Sequence, residues 1–173
     1  MSNEIEYKNI YLVGFMGAGK TTVGAVLADK VGFNCVDPDQ VLEDNAGTTI
    51  TAIFSEYGED YFRDLETKTL KAISTGEGQV IATGGGAVIK DDNWEIMKDS
   101  GVSVYLKAPV EVLYDRIKDS THRPLLQVEN PLQRARELLD ERESLYQKAD
   151  MIIDTEEMSV TEVADQIVRA LSY

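Results

Sequence analysis

The run Gly14-Phe15-Met16-Gly17-Ala18-Gly19-Lys20-Thr21 has the residue types and spacing of a loop that wraps a polyphosphate. Glycines let the backbone curl until successive N–H groups point inward at anionic oxygens. A helix that starts at the end of such a loop turns its positive pole on the same anion. Lys20 could then reach the β- and γ-phosphates of ATP, and the Thr21 hydroxyl could serve Mg²⁺, so the chemistry implied is phosphoryl transfer. The bland alternative is a glycine-rich turn without a ligand. The phosphate loop requires a strand before it and an amphipathic helix after it, and both patterns are present. Ile10 to Val13 is apolar; Val23, Leu27 and Val31 recur at a constant interval, with Val26 beside them.

Other candidates lie further along the chain. Asp37-Pro38-Asp39 offers two carboxylates, one for a metal and one for a substrate hydroxyl; a turn with a helix N-cap would use the same residues. Arg63 stands three residues before Glu66, which reads either as an anion-binding cation or as an ordinary surface pair. In Thr83-Gly84-Gly85-Gly86, consecutive glycines are costly to order. They allow backbone to approach a ligand closely, or simply a tight exit from a strand. Arg123-Pro124-Leu125-Leu126 falls in a stretch, Asp119 to Asn130, with little regular pattern, which could form a flap. Arg142 sits near Leu145 and Tyr146 on a charged helix. Taken singly, each of these arginines also has a solvated-surface reading.

The elements that must position these residues are legible as alternating strands and helices. Five short apolar segments read as strands covered on both faces: Ile10 to Val13, Asn34 to Val36, Val80 to Thr83, Val102 to Leu106 and Met151 to Ile153. Gly32 stops the first helix. Phe62, Leu65, Thr69 and Ile73 mark the inner face of another. Asn130-Pro131 opens a long charged helix reaching about Lys148, and Ser159 with Glu162 forms a capping box before Val163, Ile167 and Leu171. Strands alternating with helices predict a parallel, doubly wound sheet. Ligands on such sheets bind beyond the carboxyl ends of the strands, where Gly14, Asp37 and Gly84 fall.

Length and composition narrow the class. A chain of 173 residues suits one α/β domain. No apolar run approaches the roughly 20 residues of a membrane span. Met1 to Lys8 has neither a basic nor an apolar leader region, so no export signal is read and a cytoplasmic protein is expected. The single cysteine, Cys35, excludes an internal disulfide and reads as a small buried strand residue rather than a nucleophile. His122 is the only histidine, too few for an ordinary zinc site. The net charge of −14 disfavours nucleic acid and anionic membranes as partners. Any anionic ligand therefore needs a local cluster of cations, and five of the seven arginines fall between Arg116 and Arg142. Arg134 and Arg136 read as helix surface.

Together, Gly14 to Thr22, Asp37-Pro38-Asp39, Phe62 to Glu66, Thr83 to Val88, Arg123 to Leu126 and Arg142 with Leu145-Tyr146 resemble the shikimate kinase family in order and spacing over nearly the whole chain. The resemblance implies a three-layer P-loop kinase fold with a five-stranded parallel sheet of order 2-3-1-4-5. It implies a single domain, 1–173, with a lid at about 116–130 and a substrate-binding region at about 37–66. The activity implied is transfer of the ATP γ-phosphate to the 3-hydroxyl of shikimate, a step of aromatic amino-acid biosynthesis, by a monomer. By the same resemblance, Gly17, Ala18, Gly19, Lys20, Thr21, Thr22, Arg116 and Arg123 bind ATP, with Arg116 on the adenine and Arg123 closing on the phosphates. Thr21 and Asp37 hold Mg²⁺. Asp39, Arg63, Gly84, Gly85, Gly86 and Arg142 hold shikimate, and Lys20, Asp39 and Arg123 are catalytic. One departure is Pro38, which takes an N–H from between the two aspartates. Independently of the resemblance, arginine suits bidentate carboxylate recognition and aspartate accepts from hydroxyls, as shikimate would require.

The rivals are another small-metabolite kinase, such as a gluconate kinase or a nucleoside monophosphate kinase, and a nucleotide-gated switch. The first would need an acceptor pocket other than Arg63, the three glycines and Arg142. The second would need a guanine-reading Asn-Lys-x-Asp segment, which the chain lacks.

Overall fold

All five residues of strand β1 (Asn9–Val13) are buried, as a strand covered on both faces requires. The structure, a computed structural model, describes residues 5–119 and 126–172. After β1 come α1 (Lys20–Val31), β2 (Asn34–Val36), α2 (Pro38–Ala46), α3 (Ile50–Tyr57), α4 (Glu59–Ile73) and β3 (Gln79–Ala82). A single 3₁₀ turn (Ala87–Ile89) leads to α5 (Asp91–Ser100), β4 (Val102–Lys107), α6 (Val110–Ile117), α7 (Pro131–Tyr146), β5 (Met151–Asp154) and α8 (Val160–Leu171). The strands form one parallel sheet of order β2-β3-β1-β4-β5. That is the order the family resemblance implied, and helices flank the sheet.

The topology places the chemistry. β1 pairs with β3 from Asn9↔Gln79 to Leu12↔Ala82, and Thr83 continues the ladder by donating its N–H to Leu12 O at 3.1 Å. The two strands therefore end at one level, and the loops starting at Gly14 and Gly84 leave the sheet side by side. β2 is in register on the far side of β3, with Val36 opposite Ile81, so Asp37 emerges at the same edge. The strand order switches direction around β1, which opens the crevice where ligands bind in such sheets.

Local signals set the helix ends as the sequence indicates. Gly32 caps α1 with φ 73°, the Asn130 side chain accepts from Gln133 N at 3.3 Å, and both halves of the Ser159/Glu162 capping box form.

Three expectations need correction. β2 and β5 are edge strands and are not covered on both faces: β2 carries two exposed residues and one half-buried. Cys35 is accordingly exposed, not a buried core residue. Its thiol still faces α1, where a β-carbon on Gly24 would fall 3.3 Å from Sγ. Partial burial and the nearby Asp37 charge push that thiol's pKa up, which keeps it protonated and unreactive. The inner face of α4 is also rotated from the predicted one. Its buried residues are Phe62, Arg63, Glu66 and Leu70, not Phe62, Leu65, Thr69 and Ile73. Arg63 and Glu66 satisfy each other's charge inside, while Leu65 and Ile73 are only half-buried on its flanks.

The hydrophobic core lies between sheet and helices. A smaller cluster of Leu42, Ile53 and Phe62 ties α2, α3 and α4 together beside β2 and β3. That cluster is the platform on which Asp39, Arg63 and Glu66 are mounted.

Candidate active site

The loop after β1 folds back on itself: Ala18 N donates to Phe15 O at 3.1 Å. Gly17 and Gly19 take φ of 84° and 88°, a conformation L side chains rarely adopt. Space is short as well, since a β-carbon on Gly17 would lie 2.7 Å from Leu113 O. Gly19 is the N-cap of α1 and no side chain caps that helix, so its first turn offers N–H groups to an incoming anion. The Lys20 ammonium donates to the carbonyls of Gly14 and Phe15, at 3.1 Å for the latter. It is thereby folded over the loop it would share with phosphate oxygens.

Met16 to Thr22, Asp37, Asp39, Ala82 to Gly85, Arg116 and Ile117 line a cavity of about 450 Å³. Residues predicted to hold phosphate, metal and acceptor thus share one cleft at the carboxyl edge of the sheet. A second cavity of about 260 Å³ adjoins it through Ala18, Gly19, Thr22 and Arg116. Val23, Thr155, Met158, Val160 and Val163 line its remainder. Apolar walls with an arginine on the rim suit a flat aromatic base. Arg116, in the last turn of α6, is exposed and donates to Gly17 O at 2.9 Å, which ties this rim to the phosphate loop. Arg123, Pro124 and Leu125 lie outside the described residues.

Asp37 and Asp39 are separated by a helix start. Asp37 is the N-cap of α2, Pro38 occupies the first helical turn, and Asp37 Oδ1 accepts from Asp39 N at 3.0 Å. The turn-with-cap reading is therefore correct for Asp37, and both aspartates line the cavity all the same. Pro38 removes an N–H that a helix start does not use, and leaves the Asp39 N–H as the cap's donor.

The three glycines are explained by close approach. A β-carbon on Gly84 would fall 3.0 Å from Glu66 Oε2 and 3.2 Å from Asp39 Oδ1. On Gly85 it would lie 3.3 Å from Met16 N and 3.8 Å from Arg142 Nη1; on Gly86 it would overlap the Arg63 guanidinium, 2.4 Å from Cζ. Each glycine is thus the floor under charged side chains. Arg63 and Arg142 do not line the main cavity; they reach it across these glycines.

Both arginines are buried, at 6% and 4% exposure. Arg63 donates to Glu66 Oε1 at 3.0 Å and lies 3.4 Å from Glu59. This is a buried pair, not the surface pair weighed from sequence. Arg142 enters no ion pair among the described residues, whereas its helix neighbours Arg134 and Arg136 do. A buried guanidinium without a carboxylate partner favours an anionic ligand. Glu66, itself 4% exposed, carries a pKa raised by burial against the pull of Arg63, and its Oε2 has no hydrogen-bond partner. Sequence reasoning gave Glu66 no role in the site. Its spacing from Arg63 was visible, but a three-residue interval marks surface and buried pairs alike.

A phosphate loop at a parallel sheet's switch point, with a base-sized slot on one side and an arginine-lined cradle on the other, defines a nucleotide-dependent small-molecule kinase. Comparison with known proteins agrees. The Shikimate kinase family profile matches residues 16–172. A shikimate kinase of Thermodesulfovibrio yellowstonii is 51% identical over 162 residues, 94% of each chain. The shikimate kinase from Acinetobacter baumannii, solved in complex with shikimate, superposes with a TM-score of 0.92 at 43% identity, over 95% of this chain and 93% of that one. A gluconokinase from Sinorhizobium meliloti reaches a TM-score of 0.62 at 18% identity, over 97% of this chain and 93% of that one. That likeness is one of fold alone. The chain belongs to the shikimate kinase family and is an ATP-dependent kinase.

Proposed function

We propose that the chain transfers the γ-phosphoryl group of ATP to the 3-hydroxyl of shikimate, releasing ADP and shikimate 3-phosphate for aromatic amino-acid biosynthesis. The observation that carries this reading is the glycine-floored cradle: two buried arginines and Asp39 converge on Gly84 to Gly86 beside the phosphate loop. Two guanidinium groups suit a carboxylate, and an aspartate at the floor suits hydroxyls. Gluconate shares these groups, but its flexible chain would gain less from a rigid cradle.

In this reading ATP lays its base in the slot between Arg116 and Met158 and its phosphates in the loop from Gly17 to Thr22. Lys20 exchanges the carbonyls of Gly14 and Phe15 for phosphate oxygens and opposes the charge that gathers as the phosphoryl group moves. Arg63 and Arg142 fix the acceptor's carboxylate, and Asp39 accepts a hydrogen bond from its hydroxyls, so the reacting oxygen is aimed along the cavity toward the phosphates. Positioning of this kind removes much of the entropic part of the barrier. Arg123 is a further catalytic cation on the strength of the sequence alone.

Thr21 and Asp37 are the residues that would hold Mg²⁺. Both offer hard oxygen donors to the same cavity, and Asp37 commits only one oxygen to its helix cap. No group of three or more His, Cys, Asp or Glu among the described residues could hold a metal ion. The donor set thus suits a cation that takes most of its ligands from phosphate and water. The chemistry such a cation would supply there is neutralisation of part of the polyphosphate's charge. The dependence on ATP supports a cytoplasmic location.

ADP release in a coupled assay, with shikimate, gluconate and a nucleoside monophosphate as separate acceptors, tests the reading. Shikimate alone is expected to stimulate release. Stimulation by gluconate or by the monophosphate, with none by shikimate, would overturn it.

A further inference from the structure

The hydroxyl of Tyr146 joins the helix that carries Arg142 to the glycine floor. It donates to the carbonyl of Gly85 at 2.6 Å, and Arg142, one turn earlier on the same helix, faces it across the floor, with Nη1 3.8 Å from where a Gly85 β-carbon would lie. Tyr146 is the last residue of α7 and is fully buried. Its ring stacks on Tyr105 of β4, with centroids 4.9 Å apart and planes 20° from parallel. Tyr105 in turn donates to Glu143 Oε2 at 2.7 Å, one turn back along α7. The phenol is therefore held from both sides. Burial pushes its pKa up to about 12, so it keeps the proton it donates.

The bonds around the floor show what this hydroxyl completes. Gly84 O accepts from Ala87 N and Gly86 O accepts from Ile89 N, each at 3.1 Å. Tyr146 takes the remaining carbonyl, so all three are turned onto the protein. The peptide between Gly85 and Gly86 is trans and planar, so fixing this carbonyl on Tyr146 points the Gly86 N–H the opposite way, away from α7. Among the described residues, no side chain other than Tyr146 holds a carbonyl of the floor.

We propose that Tyr146 is a positioning residue for the acceptor: its hydroxyl sets the separation and orientation of the Arg142 guanidinium against the Gly84–Gly86 backbone before the acceptor arrives. The inference rests on the reading of this cradle as the acceptor site and extends it to a residue that need not touch the substrate. Without the hydroxyl, α7 and the glycine turn are still packed, but the floor loses the hydrogen bond that registers it against the helix carrying the arginine.

Tyr146→Phe keeps the ring and its stack and deletes the bond to the floor. Its KM for shikimate is expected to rise about tenfold, with kcat changing much less and KM for ATP unchanged. Tyr105→Phe is the control for deletion of a buried hydroxyl: it should lower the melting temperature comparably and leave shikimate KM alone. In an Arg142→Ala background the effect of Tyr146→Phe on shikimate binding, followed by calorimetry, should largely vanish, because the arginine it registers is gone. An unchanged shikimate KM in Tyr146→Phe overturns the proposal. So does an equal rise in Tyr105→Phe, or loss of fold in Tyr146→Phe by circular dichroism, either of which would make the hydroxyl merely structural. If wild-type protein does not phosphorylate shikimate, the acceptor reading fails separately, and the acceptor that does stimulate ADP release takes its place in the same comparison.

Discussion

The guanidinium of Arg63 lies against the Cα of Gly86, so closely that a β-carbon there would sit 2.3 Å from Nη2. The backbone of Gly86 is ordinary, at φ −98°, so the glycine is required by space and not by conformation. Gly86→Ala should leave the fold intact and displace Arg63 from the cradle. Loss of one charge-assisted hydrogen bond to a carboxylate corresponds to about 1.5–3 kcal/mol, or about ten- to a hundredfold in shikimate affinity. Arg63→Ala and Arg142→Ala should each cost a similar amount. Calorimetry with shikimate and with an ATP analogue separates the sites: intact shikimate binding in these variants would remove the arginines from the acceptor pocket.

Glu66 ties stability to pH through the same cradle. Its carboxyl is pushed above the ordinary glutamate value of 4.5 by burial, with Arg63 opposing that shift. Between 4.5 and the raised value, the folded protein holds a proton that the unfolded chain has released. In that window the native state binds more protons, so the free energy of unfolding falls as pH rises and levels off once Glu66 ionises in the fold. Glu66→Gln cannot ionise and should flatten this decline. Arg63→Ala removes the opposing cation and should carry the decline to higher pH. Melting temperatures across that range decide the matter; a slope identical in wild type and Glu66→Gln would assign the decline to another group.

What the sequence made legible depended on how local each signal is. The phosphate loop is a contiguous motif whose glycines, lysine and threonine answer to one anion, with an apolar strand before it and a patterned helix after it. Strand order came from family resemblance, not from pattern. The inner face of α4 was misread because an apolar pattern cannot register a buried ion pair: Arg63 and Glu66 count as polar although they face inward. Cys35 was misplaced because nothing in Asn34-Cys35-Val36 tells an edge strand from a central one. The base-sized slot drew Thr155 and Met158 from the segment between β5 and α8 and Val160 from the first turn of α8, where the capping box marks a helix start but no ligand. The three glycines could be read two ways until the side chains lying on them were seen.

Lys20 is expected to matter most at the moment of transfer. Its ammonium already lies on the loop, hydrogen-bonded to the carbonyls of Gly14 and Phe15, so little reorganisation is needed to meet a phosphate. Removing a preorganised donor of this kind lowers kcat by about 10²–10³-fold. Lys20→Met should therefore nearly abolish ADP release while circular dichroism stays native. Retention of more than about a tenth of wild-type kcat would take the lysine out of transition-state stabilisation.

The two aspartates at the start of α2 should separate in their response to the same substitution. Asp37 Oδ1 accepts from the Asp39 N–H at 3.0 Å, which commits one oxygen to the helix cap and orients the other independently of Asp39. Asp39 stands over the glycine floor, where Oδ1 lies 3.2 Å from the position a Gly84 β-carbon would take. Asparagine caps a helix about as well as aspartate, so Asp37→Asn should preserve α2 and lose only the charge. Without that charge the cavity holds a divalent cation less tightly, and the Mg²⁺ concentration for half-maximal rate should rise with little change in shikimate KM. Asp39→Asn leaves the metal side intact. It replaces an acceptor facing the substrate hydroxyls with an amide that is half donor, so shikimate KM should rise and kcat fall even at saturating Mg²⁺. Rate measurements over a grid of Mg²⁺ and shikimate concentrations distinguish the two, and a chelator titration checks the first. If both variants shift the magnesium dependence equally and leave shikimate KM where it was, the division of labour across Pro38 is wrong, and the two carboxylates act as one metal site.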